Sequence, residues 1–222
     1  MSSKETVALS RLPRGPHRLT REDVSASQRH RLCWAAIEAV AERGYKPMTV
    51  ADIVERAHVS RRTFYEMFDN RDDCFAAGFE LAMEIVETKL DSAIENAENL
   101  RLREVLFTSL REYLTFLASE PAVARALHVE TLSGDAALAE QRARMERVLS
   151  ERIRAAYLMA RADGADYPLV PDGIFDLLVG GIDNRIRDFL RTRGAADLPE
   201  LAPLLHQAAM ALLGRPEYPT GN

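Results

Sequence analysis

The chain has 222 residues, 47% hydrophobic and 28% charged, the composition of a packed globule and not of a disordered segment. No apolar run approaches the ~18–20 residues of a membrane span and the N-terminus carries no signal-peptide apolar core, so a cytoplasmic location without a membrane partner is expected. The net charge of −5 hides a division: residues 1–71 carry 13 Lys or Arg against 9 Asp or Glu, while residues 72–222 carry 16 against 25. A basic third on an acidic remainder suits a polyanion-binding unit joined to one that does not bind polyanions.

Residues 1–24 contain Pro13, Gly15 and Pro16, little apolar periodicity, and Arg11, Arg14, Arg18 and Arg21 spaced along them. They read as a flexible basic arm of the kind that follows a DNA backbone or enters a minor groove. Ser25 or Ser27 can cap a helix running to Arg43, with Cys33, Ala36, Ile37 and Val40 at helical spacing and Gly44 at its end. Thr49 can cap a second, short helix whose apolar stripe is Val50, Ile53, Val54 and Ala57. The segment "AHVS" then turns the chain, and Ser60 can cap a third helix. Two short amphipathic helices joined by a three- to four-residue turn make a helix-turn-helix.

The third helix begins "RRTFYEMF". At about 100° per residue, Arg61, Arg62, Tyr65 and Glu66 share one face with Thr63 at its margin, and Phe64, Met67 and Phe68 share the other. The apolar trio predicts burial against the first two helices. The polar face suits a DNA major groove: arginine pairs bidentately with guanine, glutamate accepts from cytosine, and tyrosine or threonine bonds a phosphate. Cys33 and Cys74 have no metal-ligand spacing and read as apolar fillers, although a helix start at Cys74 would favour a thiolate.

Beyond residue 72 the chain reads as helix at about 72–98, 101–118, 121–133, 135–162, 171–193 and 198–213, punctuated by glycines and prolines. The fold class is therefore all-α: an N-terminal three-helix DNA-binding domain over 25–71 and a larger helical domain over 72–222. Ile174, Leu178, Ile182, Ile186 and Phe189 form one stripe near Gly180 and Gly181, and Leu201, Leu204, Leu205, Ala208, Leu212 and Leu213 a second.

The stretch "TVADIVERAHVSRRTFYEMFDNRDDCF" resembles the DNA-binding domain of TetR-family transcriptional regulators over about residues 28–80. The resemblance implies phosphate contacts from Thr49, Tyr65 and Arg71, a recognition-helix cap at Ser60, and base-reading positions at Arg61, Arg62, Thr63 and Glu66. It adds minor-groove contacts from Arg11, Arg14 and Arg18, because "LPRGPH" is similar to the extended arms of some members. Arg62 stands where members often have a small residue, and Met67 where many have a polar or aromatic one. The resemblance also implies a homodimer, its interface a bundle formed by the two stripes: Ile174, Leu178, Ile182, Ile186, Phe189, Leu201, Leu205 and Leu212. Two such readers about one helical turn (~34–36 Å) apart read a palindromic operator. A small, fairly apolar effector would be held among the middle helices, where Phe107, Tyr113, Phe116, His128, Met145, Tyr157, Met159, Phe175 and Asn184 are the larger or polar groups. It would release the DNA through its differential affinity for two conformations.

Catalysis is not expected, nor any cofactor or metal. No His stands at ligand spacing with another ligand residue, and there is no glycine-rich phosphate loop or G-x-S-x-G. The expected function is a ligand-responsive repressor; activation by the same architecture, or a sequence-tolerant DNA-binding or helical ligand-binding protein, is the alternative.

Overall fold

The computed structural model describes residues 20–95, 101–132 and 136–214. Among these residues all regular structure is helical. The first helix, α1 (Arg21–Arg43), starts earlier than the Ser25 or Ser27 expected. Thr20 caps it through a reciprocal box: its hydroxyl accepts from the Asp23 amide at 3.1 Å, and the Asp23 carboxylate accepts from the Thr20 amide at 2.9 Å. Residues 21–24, expected in the arm, are thus helical, and Arg11, Arg14 and Arg18 lie outside the described residues. Gly44, at φ +86°, ends the helix in a conformation that side chains resist.

The helix-turn-helix follows as α2 (Val50–Ala57) and α3 (Arg61–Tyr65). His58 makes the turn in left-handed geometry (φ 52°, ψ 48°), uncommon for a residue with a side chain. Then α4 (Arg71–Glu95) starts with Asn70 accepting from the Asp72 and Asp73 amides at 2.8 and 2.9 Å, and it crosses α1 at Gly78. A Cβ at Gly78 would lie 2.6 Å from the Cys33 carbonyl oxygen, so only glycine permits this approach.

The remaining helices are α5 (Leu102–Ser119), α6 (Pro121–His128), α7 (Ala136–Ala162), α8 (Gly173–Thr192) and α9 (Ala202–Leu213). Short 3₁₀ turns occupy Glu130–Leu132 and Leu198–Leu201. They shorten two helices expected to run through 121–133 and 198–213. No described helix is long and apolar enough to cross a membrane.

One hydrophobic core runs without a break from the DNA-binding helices into the C-terminal ones, from Ile37, Ile53 and Phe64 through Phe79 to Leu117, Leu127 and Ile186. The joint is α6 against α1, where the Arg125 guanidinium donates to the Ala41 carbonyl at 3.0 Å. A second cluster closes the far end with Leu102, Leu106, Tyr157, Phe175, Leu178 and Leu213.

The residues expected at the dimer interface fall mostly inside the chain. Leu178, Ile186, Phe189, Leu201 and Leu205 are buried within the chain itself, and Ile174 and Ile182 are half-buried against the same cores. The stripe of α8 turns inward, where the helix packs on α6, α7 and α9. Of that set Leu212 alone is exposed, and the exposed large apolar residues of these two helices are Leu177, Leu204 and Leu212. A Cβ added at Gly180 or Gly181 would meet nothing within 4 Å.

Candidate nucleic-acid interface and effector cavity

Phe64 and Phe68 are buried and Met67 half-buried, as the helical spacing predicts, with the two rings 5.8 Å apart and the Arg29 guanidinium 4.5 Å above Phe68. Their burial fixes the rotation of α3 and leaves Arg61, Arg62, Tyr65 and Glu66 exposed. The Ser60 hydroxyl accepts from the Thr63 amide at 3.0 Å, the expected cap, and also bonds the Thr63 hydroxyl at 2.9 Å. Thr49 caps α2, accepting from the Asp52 amide at 3.3 Å and donating its hydroxyl to the Asp52 carboxylate at 2.7 Å. These bonds, with Arg43 at 2.8 Å, hold the Asp52 carboxyl below the usual carboxylate range, Thr49 contributing most.

The cations of the reading face are not equivalent. Arg62 Nε donates to Glu66 Oε1 at 2.9 Å, an i,i+4 pair that orients both. Arg61 has no partner among the described residues and stands free in solvent. Arg71 is committed inward: Nη1 donates to the Tyr45 and Lys46 carbonyls at 3.0 and 2.9 Å and to the Met48 carbonyl, and the guanidinium lies 5.3 Å from the Tyr45 ring. It therefore clasps the α1–α2 loop, a structural role that sequence spacing did not reveal.

Cys33 and Cys74 are both buried and free, and burial pushes the Cys33 thiol up to about 11 and Cys74 higher still. The helix start at Cys74 therefore yields no thiolate.

Between the two hydrophobic clusters α4, α5, α6, α7, α8 and α9 leave about 100 Å³ of free space, lined almost wholly by carbon. Leu90, Leu110, Leu149, Ile153, Val179 and Ile182 form most of the wall. One end is polar. There Tyr113 Oη lies 2.9 Å from His128 Nε2, and His128 Nδ1 lies 2.7 Å from Asp183 Oδ1. Asp183 Oδ2 accepts from Arg142 Nη2 at 3.1 Å and from Arg187 Nη2, while Arg187 Nε donates to the His128 carbonyl at 2.8 Å. Burial, then the nearby Asp183 charge, pushes the Tyr113 phenol far above its ordinary range, so it keeps its hydrogen.

Of the nine effector-site residues expected from sequence, this cavity brings together Tyr113, His128 and Met145. Phe116 is buried in the main core, Tyr157 and Phe175 in the far cluster, and Phe107 packs on His206. Met159 is 67% exposed, and Asn184 is exposed on the far side of α8, bonded by Arg187 at 3.3 Å. Asp183, the neighbour of Asn184, was missed. Its spacing of four from Arg187 in an apolar helix is the signal that could have found it.

Residues 34–77 match the family model of bacterial regulatory proteins of the tetR family, the segment that carries the helix-turn-helix. The helix-turn-helix segment is that of the tetR family. No curated protein matches it in sequence. The solved structures similar to this chain include the fatty acid degradation regulator FadR from Bacillus halodurans (19% identity, 90% of this chain and 97% of that one, TM-score 0.74). FadR from Bacillus subtilis, solved in complex with stearoyl-CoA, is similar at 19% identity over 81% and 96% of the two chains, TM-score 0.71. TylP, a TetR regulator from Streptomyces fradiae, is similar at 23% identity over 86% and 89%, TM-score 0.63. At these identities the likeness is one of fold.

Proposed function

We propose that this TetR-family regulator is a ligand-responsive repressor: a homodimer that binds a palindromic operator and is released by a small, fairly apolar effector. The observation that carries the reading is the double role of α6. His128 at its end lines the cavity, and Arg125 one turn earlier holds a carbonyl of α1 in the DNA-binding domain. A molecule that expands the cavity would move α6 and, with it, α1 and the recognition helix. It can shift that equilibrium only by as much as its affinity differs between the two arrangements.

Base reading would fall to Arg61, Arg62, Thr63 and Glu66, with phosphate contacts from Tyr65, whose hydroxyl has no partner among the described residues, and from Thr49 and Arg71 if DNA draws them from their internal bonds. The second copy would lie on the outer faces of α8 and α9, where Leu177, Leu204 and Leu212 are exposed beside Gly180 and Gly181. A carbon-lined cavity suits an apolar effector, and the Bacillus subtilis regulator solved with stearoyl-CoA has the same fold. The test is fluorescence anisotropy with the DNA upstream of the protein's own gene against scrambled DNA across a salt series. A specific regulator prefers its operator by ~10³-fold or more; equal binding that vanishes with salt, there and at neighbouring promoters, overturns the reading.

A further inference from the structure

The polar end of the cavity has a definite hydrogen-bonding sense. Asp183 accepts from three donors, and a carboxylate bonded in this way can only accept, so His128 Nδ1 carries a hydrogen and donates it. Two guanidiniums already face this carboxylate. Arg142 is further paired with Glu146 at 2.9 Å, so the two acids and two arginines balance in charge. A third cation buried beside them would be uncompensated, which leaves His128 as the neutral imidazole. Its Nε2 then offers a lone pair, and the one hydrogen of the Tyr113 hydroxyl goes to it. Tyr113 is left with an acceptor lone pair and no hydrogen to give.

We infer that the effector held in this cavity is uncharged at this end and donates a hydrogen bond, from an O–H or N–H group, to the Tyr113 hydroxyl oxygen. The inference rests on the effector-site reading of the cavity and narrows its ligand class to apolar molecules with a neutral donor: an alcohol, an amide or a protonated acid. A carboxylate would bring its lone pairs against that of Tyr113 in a carbon-lined space. Arg152, which also lines the cavity, is paired with Asp91 of α4 and makes no bond to Tyr113, His128 or Asp183. An anion captured there would be recognised by Arg152 and not by Tyr113.

The experiment uses the full chain and the fluorescent probe N-phenyl-1-naphthylamine, displaced by decan-1-ol, 1-methoxydecane or decanoate. The ether has one more carbon than the alcohol, so burial of apolar surface alone favours it. The expected result is about ten-fold tighter displacement by decan-1-ol. That gap should fall to about two-fold or less in Tyr113→Phe. Equal affinity of alcohol and ether, or a gap that persists in Tyr113→Phe, overturns the inference while leaving the cavity as the effector site. Tightest displacement by decanoate, lost in Arg152→Gln, overturns it in favour of anion recognition by Arg152. Failure of the probe and all three ligands to bind overturns the inference and the effector-site reading together. The wild-type comparison holds whether or not the variant folds.

Discussion

On the reading face of α3 two neighbouring arginines differ in freedom. Arg62 is anchored to Glu66, while Arg61 is solvated and unpaired among the described residues, so Arg61 loses less on transfer to a base edge. Arg61→Ala should cost about 1–3 kcal/mol on the operator and relax preference at one base position; an unchanged specificity profile in a binding-site selection removes Arg61 from base reading. Steric limits act at single residues too. With the Cys33 carbonyl where a Cβ would stand, Gly78→Ala must push α4 away from α1. Overpacking of this kind costs about 1–3 kcal/mol, to be read as a lower denaturation midpoint, with any gain in stability counting against the close approach.

At the scale of elements, the Asp183 carboxylate joins three helices: His128 of α6, Arg142 of α7 and Arg187 of its own α8. Asp183→Ala would leave two guanidiniums facing each other with no carboxylate between them. Breaking a buried ion network from one side costs roughly 3–5 kcal/mol, and thermal unfolding of the variant measures it; a loss below 1 kcal/mol would mean the arginines find other partners. The element scale is also where sequence reading succeeds or fails. The caps at Thr49 and Ser60 and the Phe64–Phe68 pair were legible because each is a signal within four residues of its partner. Thr20 with Asp23 carries the same signal, which two nearby serines obscured. The cavity was legible only in part, since one residue of rotation on α8 separates Asp183, at the centre of the network, from Asn184 in solvent. That rotation is decided by helices far away in the chain, and no local pattern encodes it.

For the whole molecule, burial keeps the inner stripe of α8 inside the chain, so the self-association surface we propose is its outer face with that of α9. A charge at Ile182 would fall on the cavity wall, whereas Leu204 is 52% exposed. Leu204→Glu should therefore give monomers in sedimentation velocity without loss of helical content, and those monomers should bind the operator weakly. A variant that still sediments as a dimer would place the second copy elsewhere.

The unbroken core from Phe64 to Ile186 bears on how such a protein can be taken apart. Cutting at the helix-turn-helix boundary would strip α1 of α6, the neighbour that covers its inner side, and expose Val40 and Leu127 together. The helix-turn-helix segment and the helices behind it thus share one core, and under the proposed function sensor and reader are not interchangeable cassettes. A chimera that grafts this reader onto another sensor would have to carry α6 along, or rebuild the surface it covers.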